Sequence, residues 1–141
     1  MINYAFYNSE GKYIQSGVSS EDALSSGDIP SGCSVYYGIV NIALQYHNIE
    51  TNTPVNMPQQ PQDGFVFNYT IKSWEPDTSY LDSKVKYQRN QLLVNSDWTQ
   101  IPNNPLTQAK QTEWETYRQQ LRDITSQQGY PVTVTWPTPP N

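Results

Sequence analysis

Short runs in which aromatic and aliphatic residues alternate with polar ones fill the first half of the chain and predict β-strands. The opening residues, INYAFYNSEGKYIQSG, place β-favouring aromatic residues on both sides of the stretch NSEG. Gly11 suits the positive φ angle that a tight hairpin turn requires. We therefore expect a hairpin with strands at residues 2–7 and 12–16.

Two more short strands are expected around Gly38, in the segments CSVYYG and NIALQYHN. In the second segment, Ile42, Leu44 and Tyr46 occupy one face of the predicted strand. His47 falls on the opposite face, which predicts a solvated histidine at the rim of the module. No Ser or Cys is placed to make it a catalytic base.

Between the first hairpin and these two strands, SSEDALSSG predicts one short helical turn that Ser19 or Ser20 caps and Gly27 ends. Glu21 and Asp22 lie near the start of this turn, where the helix dipole favours negative charge. They are better explained by that position than as a catalytic carboxylate pair.

Three prolines interrupt residues 51–63, which show no regular periodicity and predict an extended connector. The segment GFVFNYTIKSW then alternates apolar and polar residues up to Trp74. One long strand or a hairpin that turns near Asn68 would fit this pattern.

The stretch after Pro76 predicts a helix that Asp77 or Thr78 caps and that ends near Asn95. Its apolar positions, at roughly helical spacing, are Leu81, Val85 and Leu92.

A second helix is expected after Thr107, which is a suitable cap, and should end before Gly129. Its apolar stripe consists of Trp114, Tyr117, Leu121 and Ile124. Arg118 and Arg122 lie on a neighbouring face, which is either solvated or a contact with a partner. Residues 132–136 then alternate and predict a short terminal strand before a proline-rich tail.

These elements predict an α+β protein: a small N-terminal antiparallel β module, followed by a two-helix (αα-hairpin) module with a short terminal strand. The expected divisions are a β-rich module at 1–58, a connector with a strand or hairpin at 59–76, and a helical module at 77–141.

The connection SDWTQIPNNPL between the two helices is expected to fix how they meet. Two short amphipathic helices are stable only when their apolar stripes face one another. Trp98 would cover the open end of the pair, while Pro102 and Pro105 restrict the backbone on either side of an Asn-Asn turn.

The composition narrows the range of functions. Eleven Tyr, four Trp and three Phe predict a core rich in aromatic residues. A formal net charge of −5 and scattered Lys and Arg disfavour nucleic-acid binding. No run is long and apolar enough for a membrane span, and the first residues lack the order of a signal peptide, so we expect a soluble protein.

Candidate chemistry is sparse. Cys33 is the single cysteine and His47 the single histidine, so no Cys/His set has metal-ligand spacing. The chain has no phosphate-binding glycine loop, nucleophile elbow or plausible catalytic triad. We expect a protein that is not an enzyme and uses no cofactor or metal.

Residues 92–140 resemble the phage tail assembly chaperone family, also described as tail fibre assembly protein-like. The resemblance is carried by the motifs SDWTQ-P-x-x-PL, W-x-x-YRQ-x-LRDI and W-P-x-P-P. The matching residues are Ser96, Asp97, Trp98, Thr99, Gln100, Pro102, Pro105, Leu106, Trp114, Tyr117, Arg118, Gln119, Leu121, Arg122, Asp123, Ile124, Trp136, Pro137, Pro139 and Pro140.

The resemblance implies a non-catalytic protein of a tailed bacteriophage that binds tail or tail-fibre subunits. It would act as an assembly chaperone in the host cytoplasm or as a small tail component of the virion. A homo-oligomer is an open alternative. The residues expected to contact a partner are Trp74, Trp98, Tyr130, Arg118 and Arg122. For the three aromatic residues, the alternative is that they only pack in the core or at the corner.

A receptor-binding or glycan-binding tip protein of the tail fibre is the alternative, because aromatic faces beside amide groups suit sugar recognition. The residues that would supply such a patch are Tyr36, Tyr37, Asn41 and Tyr46.

Overall fold

A computed structural model describes residues 1–20, 24 and 27–141, which divide into two compact units, residues 1–75 and 76–141. Unit 1 contains antiparallel strands and unit 2 contains two α-helices, so the predicted α+β class is confirmed. The helical turn expected after Ser19 or Ser20, with Glu21 and Asp22, lies outside the described residues.

Unit 1 begins with a three-stranded antiparallel sheet in the order β2-β1-β3. The strands are β1 (Ile2–Asn8), β2 (Tyr13–Ser19) and β3 (Cys33–Tyr37). The predicted hairpin is confirmed, with its turn closed by Gly11 at φ 81°. Ala5 and Phe6 of the central strand are buried and form part of the core.

Two further hairpins follow, β4 (Gln45–Asn48) with β5 (Thr53–Asn56), and β6 (Phe65–Asn68) with β7 (Ser73–Pro76). Each begins its turn with an asparagine whose side-chain oxygen accepts two backbone N–H groups. Asn48 accepts from Glu50 and Thr51, and Asn68 accepts from Thr70 and Ile71. Such side-chain turns make tight loops without glycine.

Asn8 makes the same kind of turn between β1 and β2, where its Oδ1 accepts the N–H groups of Glu10 and Lys12. Three hairpins of one layout, each with a four-residue loop, therefore make up most of unit 1. Of the two alternatives predicted for the segment GFVFNYTIKSW, the hairpin that turns near Asn68 is therefore confirmed, and the single long strand is wrong.

One strand prediction and the connector prediction in unit 1 are corrected. In NIALQYHN only Gln45–Asn48 is a strand, because Asn41 holds a turn in which its carbonyl accepts the N–H of Gln45 at 2.9 Å. Residues 51–63 are not wholly a connector, since they include β5. The preceding Asn52 adopts φ 52°, which lets the chain reverse and pair with β4.

His47 is fully buried, so its predicted position on a solvated face is wrong. Its ring stacks on Tyr7 at 3.8 Å between centroids, Nδ1 accepts the hydroxyl proton of Tyr13 at 3.0 Å, and Nε2 donates to Asn52 Oδ1 at 3.0 Å. Its backbone N–H donates to the carbonyl of Gly11 at 2.8 Å. His47 thus fastens the second hairpin to the first sheet, and burial lowers its pKa.

Unit 2 contains α1 (Thr78–Asn95) and α2 (Gln108–Arg122), joined by a connection with a 3-10 turn at Asp97–Gln100. Both expected caps are confirmed: the Asp77 side chain accepts the N–H of Tyr80, and Thr107 that of Lys110. A second 3-10 turn, Asp123–Ser126, follows α2.

The two helices share an apolar core. Leu121 and Ile124 have no exposed surface, as their helical spacing predicts. The other apolar residues buried in this unit are Leu81, Val85 and Tyr117. Each helix gains most of its stability from this shared contact rather than from its own length.

The terminal strand predicted at residues 132–136 is wrong. The chain turns at residues 128–132 and then runs extended without a strand partner among the described residues. The amide of Gln127 takes both backbone groups of Thr135, accepting its N–H at 2.8 Å and donating to its carbonyl at 2.7 Å. The prolines that follow supply no N–H group for pairing.

Candidate protein-binding surfaces

The connection between α1 and α2 is held in shape by its own polar side chains. Ser96 and Thr99 are buried, and the Thr99 hydroxyl donates to the carbonyl of Ser96 at 2.7 Å. The Asn104 amide donates to the carbonyls of Thr99 and Ile101, both at 3.0 Å. These bonds satisfy backbone groups that would otherwise need water, so the connection forms a defined corner, as the sequence predicts.

Arg118 joins this corner to α2. Its Nη1 donates to the carbonyl of Leu93 and to the hydroxyl of Ser96, both at 2.7 Å, and its Nη2 donates to Asp97 Oδ1 at 2.8 Å. Only 8% of the residue is exposed, so of the two alternatives for its face, the solvated one is wrong at Arg118. The guanidinium serves the end of α1, where carbonyl groups lack helical partners.

Apolar side chains at the same corner remain exposed. Val94 is 63% exposed, Trp98 45% and Ile101 56%, and together they define what we call the corner surface. Isolated exposed apolar residues are ordinary, but three within eight positions, at the end of α1 and on the connection that follows it, form a candidate contact site. The sequence indicated Trp98, while Val94 and Ile101 were missed because periodicity does not reveal which apolar residues stay uncovered.

The ring of Trp98 packs against Trp114, which in turn packs against Tyr117. Its centroid lies 5.9 Å from that of half-buried Trp114 in an edge-on arrangement, and Trp114 lies 5.6 Å from Tyr117 in the same way. Edge-to-face ring pairs fix side-chain orientation. Trp98 is therefore exposed, but its orientation is already fixed. Binding of a partner would consequently cost less side-chain conformational entropy.

Tyr130 and Arg122, the other expected contact residues of unit 2, differ in position. The half-buried Tyr130 donates its hydroxyl proton to Asp82 Oδ1 at 2.5 Å. Burial and this hydrogen bond raise the pKa of Tyr130 to about 12, while the Tyr130 hydroxyl and Lys86 lower that of Asp82. Arg122 is exposed, and its Nη1 donates a long hydrogen bond, 3.4 Å, to Gln119 Oε1.

Trp74 lies in unit 1, at a cleft of about 420 Å³ that also includes Leu44, Met57 and Gln59. Its indole N–H donates to the carbonyl of Pro58 at 2.8 Å, and Phe67 packs edge-on against its ring. Trp74 is half-buried and its orientation is fixed by these contacts.

The four residues of the expected glycan patch are not assembled into one exposed surface. The ring of Tyr36 tilts against buried His47, while that of Tyr46 stacks on Phe67. Asn41 uses its side-chain oxygen to accept the N–H of Ala43. Tyr37 is exposed, but it lies next to Tyr36 in a strand and so faces the opposite side.

Within the part of the chain that the structure describes, no group of three His, Cys, Asp or Glu side chains is placed to hold a metal ion. Neither helix of residues 27–141 combines the length and apolar character that crossing a bilayer requires.

Residues 82–141 match the family model of the phage tail assembly chaperone protein. The match lies within unit 2 and covers less than half of the chain. It confirms, over this segment, the resemblance found at residues 92–140. No curated protein and no solved structure matches the chain.

Proposed function

We propose that this protein takes part in building the tail of a bacteriophage, and that it does so by binding tail or tail-fibre subunits. The observation that carries the proposal is that the segment similar to tail assembly chaperones, residues 82–141, contains the whole corner surface. An assembly protein needs a surface that is apolar enough to hold a subunit and rigid enough to select it.

The corner surface meets both requirements. Tryptophan is among the residue types enriched at energetically important positions of protein interfaces. The ring of Trp98 is oriented by its edge-on contact with Trp114. The buried Arg118 and the Asn104 amide hold the backbone beneath it. We propose Trp98 as the central contact and Val94 and Ile101 as its neighbours.

In this proposal the protein is not an enzyme and acts without a cofactor. It works in the cytoplasm of the host while tails are assembled, either leaving the finished particle or remaining as a small tail component. Mass spectrometry of purified virions separates these two cases by the copy number recovered.

The binding proposal is tested with an affinity-tagged chain purified from infected cells. We expect tail or tail-fibre proteins to be retained by the wild-type chain and lost with Trp98→Ser. Tyr87→Ser is the matched control, because Tyr87 is 68% exposed on α1 but lies outside the corner surface. Equal retention by both variants would contradict the assignment of the corner surface.

A further inference from the structure

The proline-rich tail, residues 134–141, forms no helix or strand and lines two clefts together with residues of α1 and α2. Its sequence is VTWPTPPN, in which three prolines favour a polyproline conformation. In the described part of the chain, hydrogen bonds to this tail end at Thr135, which the Gln127 amide holds. Beyond Thr135 the tail is therefore held by packing alone.

Tyr117 lines two clefts that residues of the tail also line. Pro139 shares a cleft of about 210 Å³ with Leu92, Trp114 and Tyr117. Thr138 and Pro140 share a second cleft, of about 370 Å³, with Tyr117 and residues along α2. A proline-rich segment lying on aromatic rings is the arrangement by which many domains recognise polyproline peptides.

We call the two clefts together the groove. Its charged lining is sparse and paired. Glu113 is the charged residue that lines it, and its carboxylate is paired with Lys110 at 2.8 Å. The hydroxyl of Thr116 donates to a carbonyl of its own helix. Gln120 also lines the groove, and within residues 27–141 its amide makes no hydrogen bond, so it can donate to a ligand carbonyl.

We infer that this groove binds extended, uncharged, proline-containing segments, and that the C-terminal tail is a tethered occupant which such a segment of a partner protein displaces. The two clefts that Tyr117 lines have open volumes of about 370 and 210 Å³ beside the tail, so the tail does not fill the groove. The inference rests on the proposed function in one respect, namely that the displacing segment belongs to a tail or tail-fibre protein. The groove itself can be tested without any phage protein.

The probe is a fluorescent synthetic peptide with the tail sequence VTWPTPPN, and the readout is its anisotropy with the full-length chain. A tethered occupant is present at an effective concentration in the millimolar range, so the wild-type chain should bind the peptide weakly. The double variant Pro139→Gly and Pro140→Gly loosens the tail without shortening the chain. We expect it to bind the peptide at least about tenfold more tightly than wild type.

Two controls assign binding to the groove. In the loosened chain, Gln120→Ala should weaken binding several-fold, while Gln119→Ala, a change at the adjacent exposed residue outside the groove, should not. A peptide with glycine in place of each proline should not bind. Equal peptide affinity of the wild-type and loosened chains would overturn the inference, as would an unchanged affinity with Gln120→Ala.

A second measurement keeps the inference testable if the loosened chain does not fold. Excess peptide is added to the isotope-labelled wild-type chain, and the backbone amide signal of Thr138 is followed by NMR. Displacement should move this signal toward its position in the free peptide. A signal unchanged at millimolar peptide, or tail exchange that yields dimers without peptide binding, would overturn the inference. Either result would leave the proposal for the corner surface standing.

Discussion

The guanidinium of Arg118 donates to the backbone carbonyl of Leu93 at 2.7 Å, so that a side chain of α2 closes the C-terminal end of α1. The two residues are 25 positions apart, and the bond ties the helices together at the corner that carries Trp98. The hydroxyl of Ser96 accepts from the same Nη1 and itself donates to the Leu93 carbonyl at 3.0 Å. Loss of Arg118 would therefore remove the donor to Ser96 and one of the donors to Leu93.

Arg118→Ala should lower the free energy of unfolding by about 1–3 kcal/mol, because the buried Ser96 hydroxyl loses a charged hydrogen-bond donor. The Asp97 side chain is 63% exposed, so loss of its ion pair should add little. Arg122→Ala is the matched control. Arg122 is exposed, and its loss should change stability by no more than about 0.5 kcal/mol. Urea unfolding followed by circular dichroism measures both, and equal effects of the two changes would rule out the assigned role of Arg118.

Leu121→Ala should lower the free energy of unfolding by about 2–5 kcal/mol, since it opens a cavity where the side chain has no exposed surface. Val94→Ala, at a residue 63% exposed, should cost less than about 0.5 kcal/mol while weakening binding to a tail subunit. Thermal denaturation of both variants checks the core. A stable Leu121→Ala chain would show that the helix pair is not packed as described.

Gly11→Ala should be strongly destabilising, because the residue has φ 81° and an added Cβ would lie 2.1 Å from the carbonyl oxygen of His47. Gly32→Ala separates the cost of the positive φ angle from the cost of the steric clash. Gly32 also has a positive φ, 77°, but nothing lies within 4 Å of an added Cβ. We expect a cost of about 1 kcal/mol at Gly32 and at least about twice that at Gly11. Equal costs in urea unfolding would mean that β4 is not held against the first turn.

Unit 1 should lose stability below about pH 6.5, the usual pKa of histidine. Burial lowers the pKa of His47 in the folded chain, so the unfolded chain takes up the proton first as the pH falls. The loss cannot exceed about 1.4 kcal/mol per pH unit from one group.

Urea unfolding of the wild-type chain at about pH 7.5 and pH 5.5 measures this loss. His47→Gln should be less stable at both pH values but should lack the histidine-dependent part of the difference. His47 is the single histidine, and all other groups are common to both chains. An identical pH dependence in the variant would show that His47 is not responsible.

Local signals made the helices and the first hairpin predictable from the sequence. The caps Asp77 and Thr107 bind the N–H groups that helix starts leave free, and Leu121 and Ile124 follow the helical period that burial requires. The repeated hairpin layout after Asn8, Asn48 and Asn68 could also have been found, since each asparagine ends a strand.

The burial of His47 and Arg118 could not be predicted from the same signals. A polar side chain is buried only when distant groups satisfy it, and Tyr13 is 34 positions from His47. The alternation within β4 divides its residues between two faces, but it does not predict which face packs against the first sheet. The unpaired tail was missed for a related reason, because a side chain, Gln127, takes the backbone groups that a strand would use.

The most direct test of the central claim is complementation of a phage from which the coding sequence of this protein has been removed. Particles are counted by negative-stain electron microscopy after the chain is supplied as wild type, Trp98→Ser or Tyr87→Ser. We expect normal tails with wild type and Tyr87→Ser, and missing or incomplete tails or fibres with a folded Trp98→Ser chain. Complete, infectious tails with Trp98→Ser would contradict it.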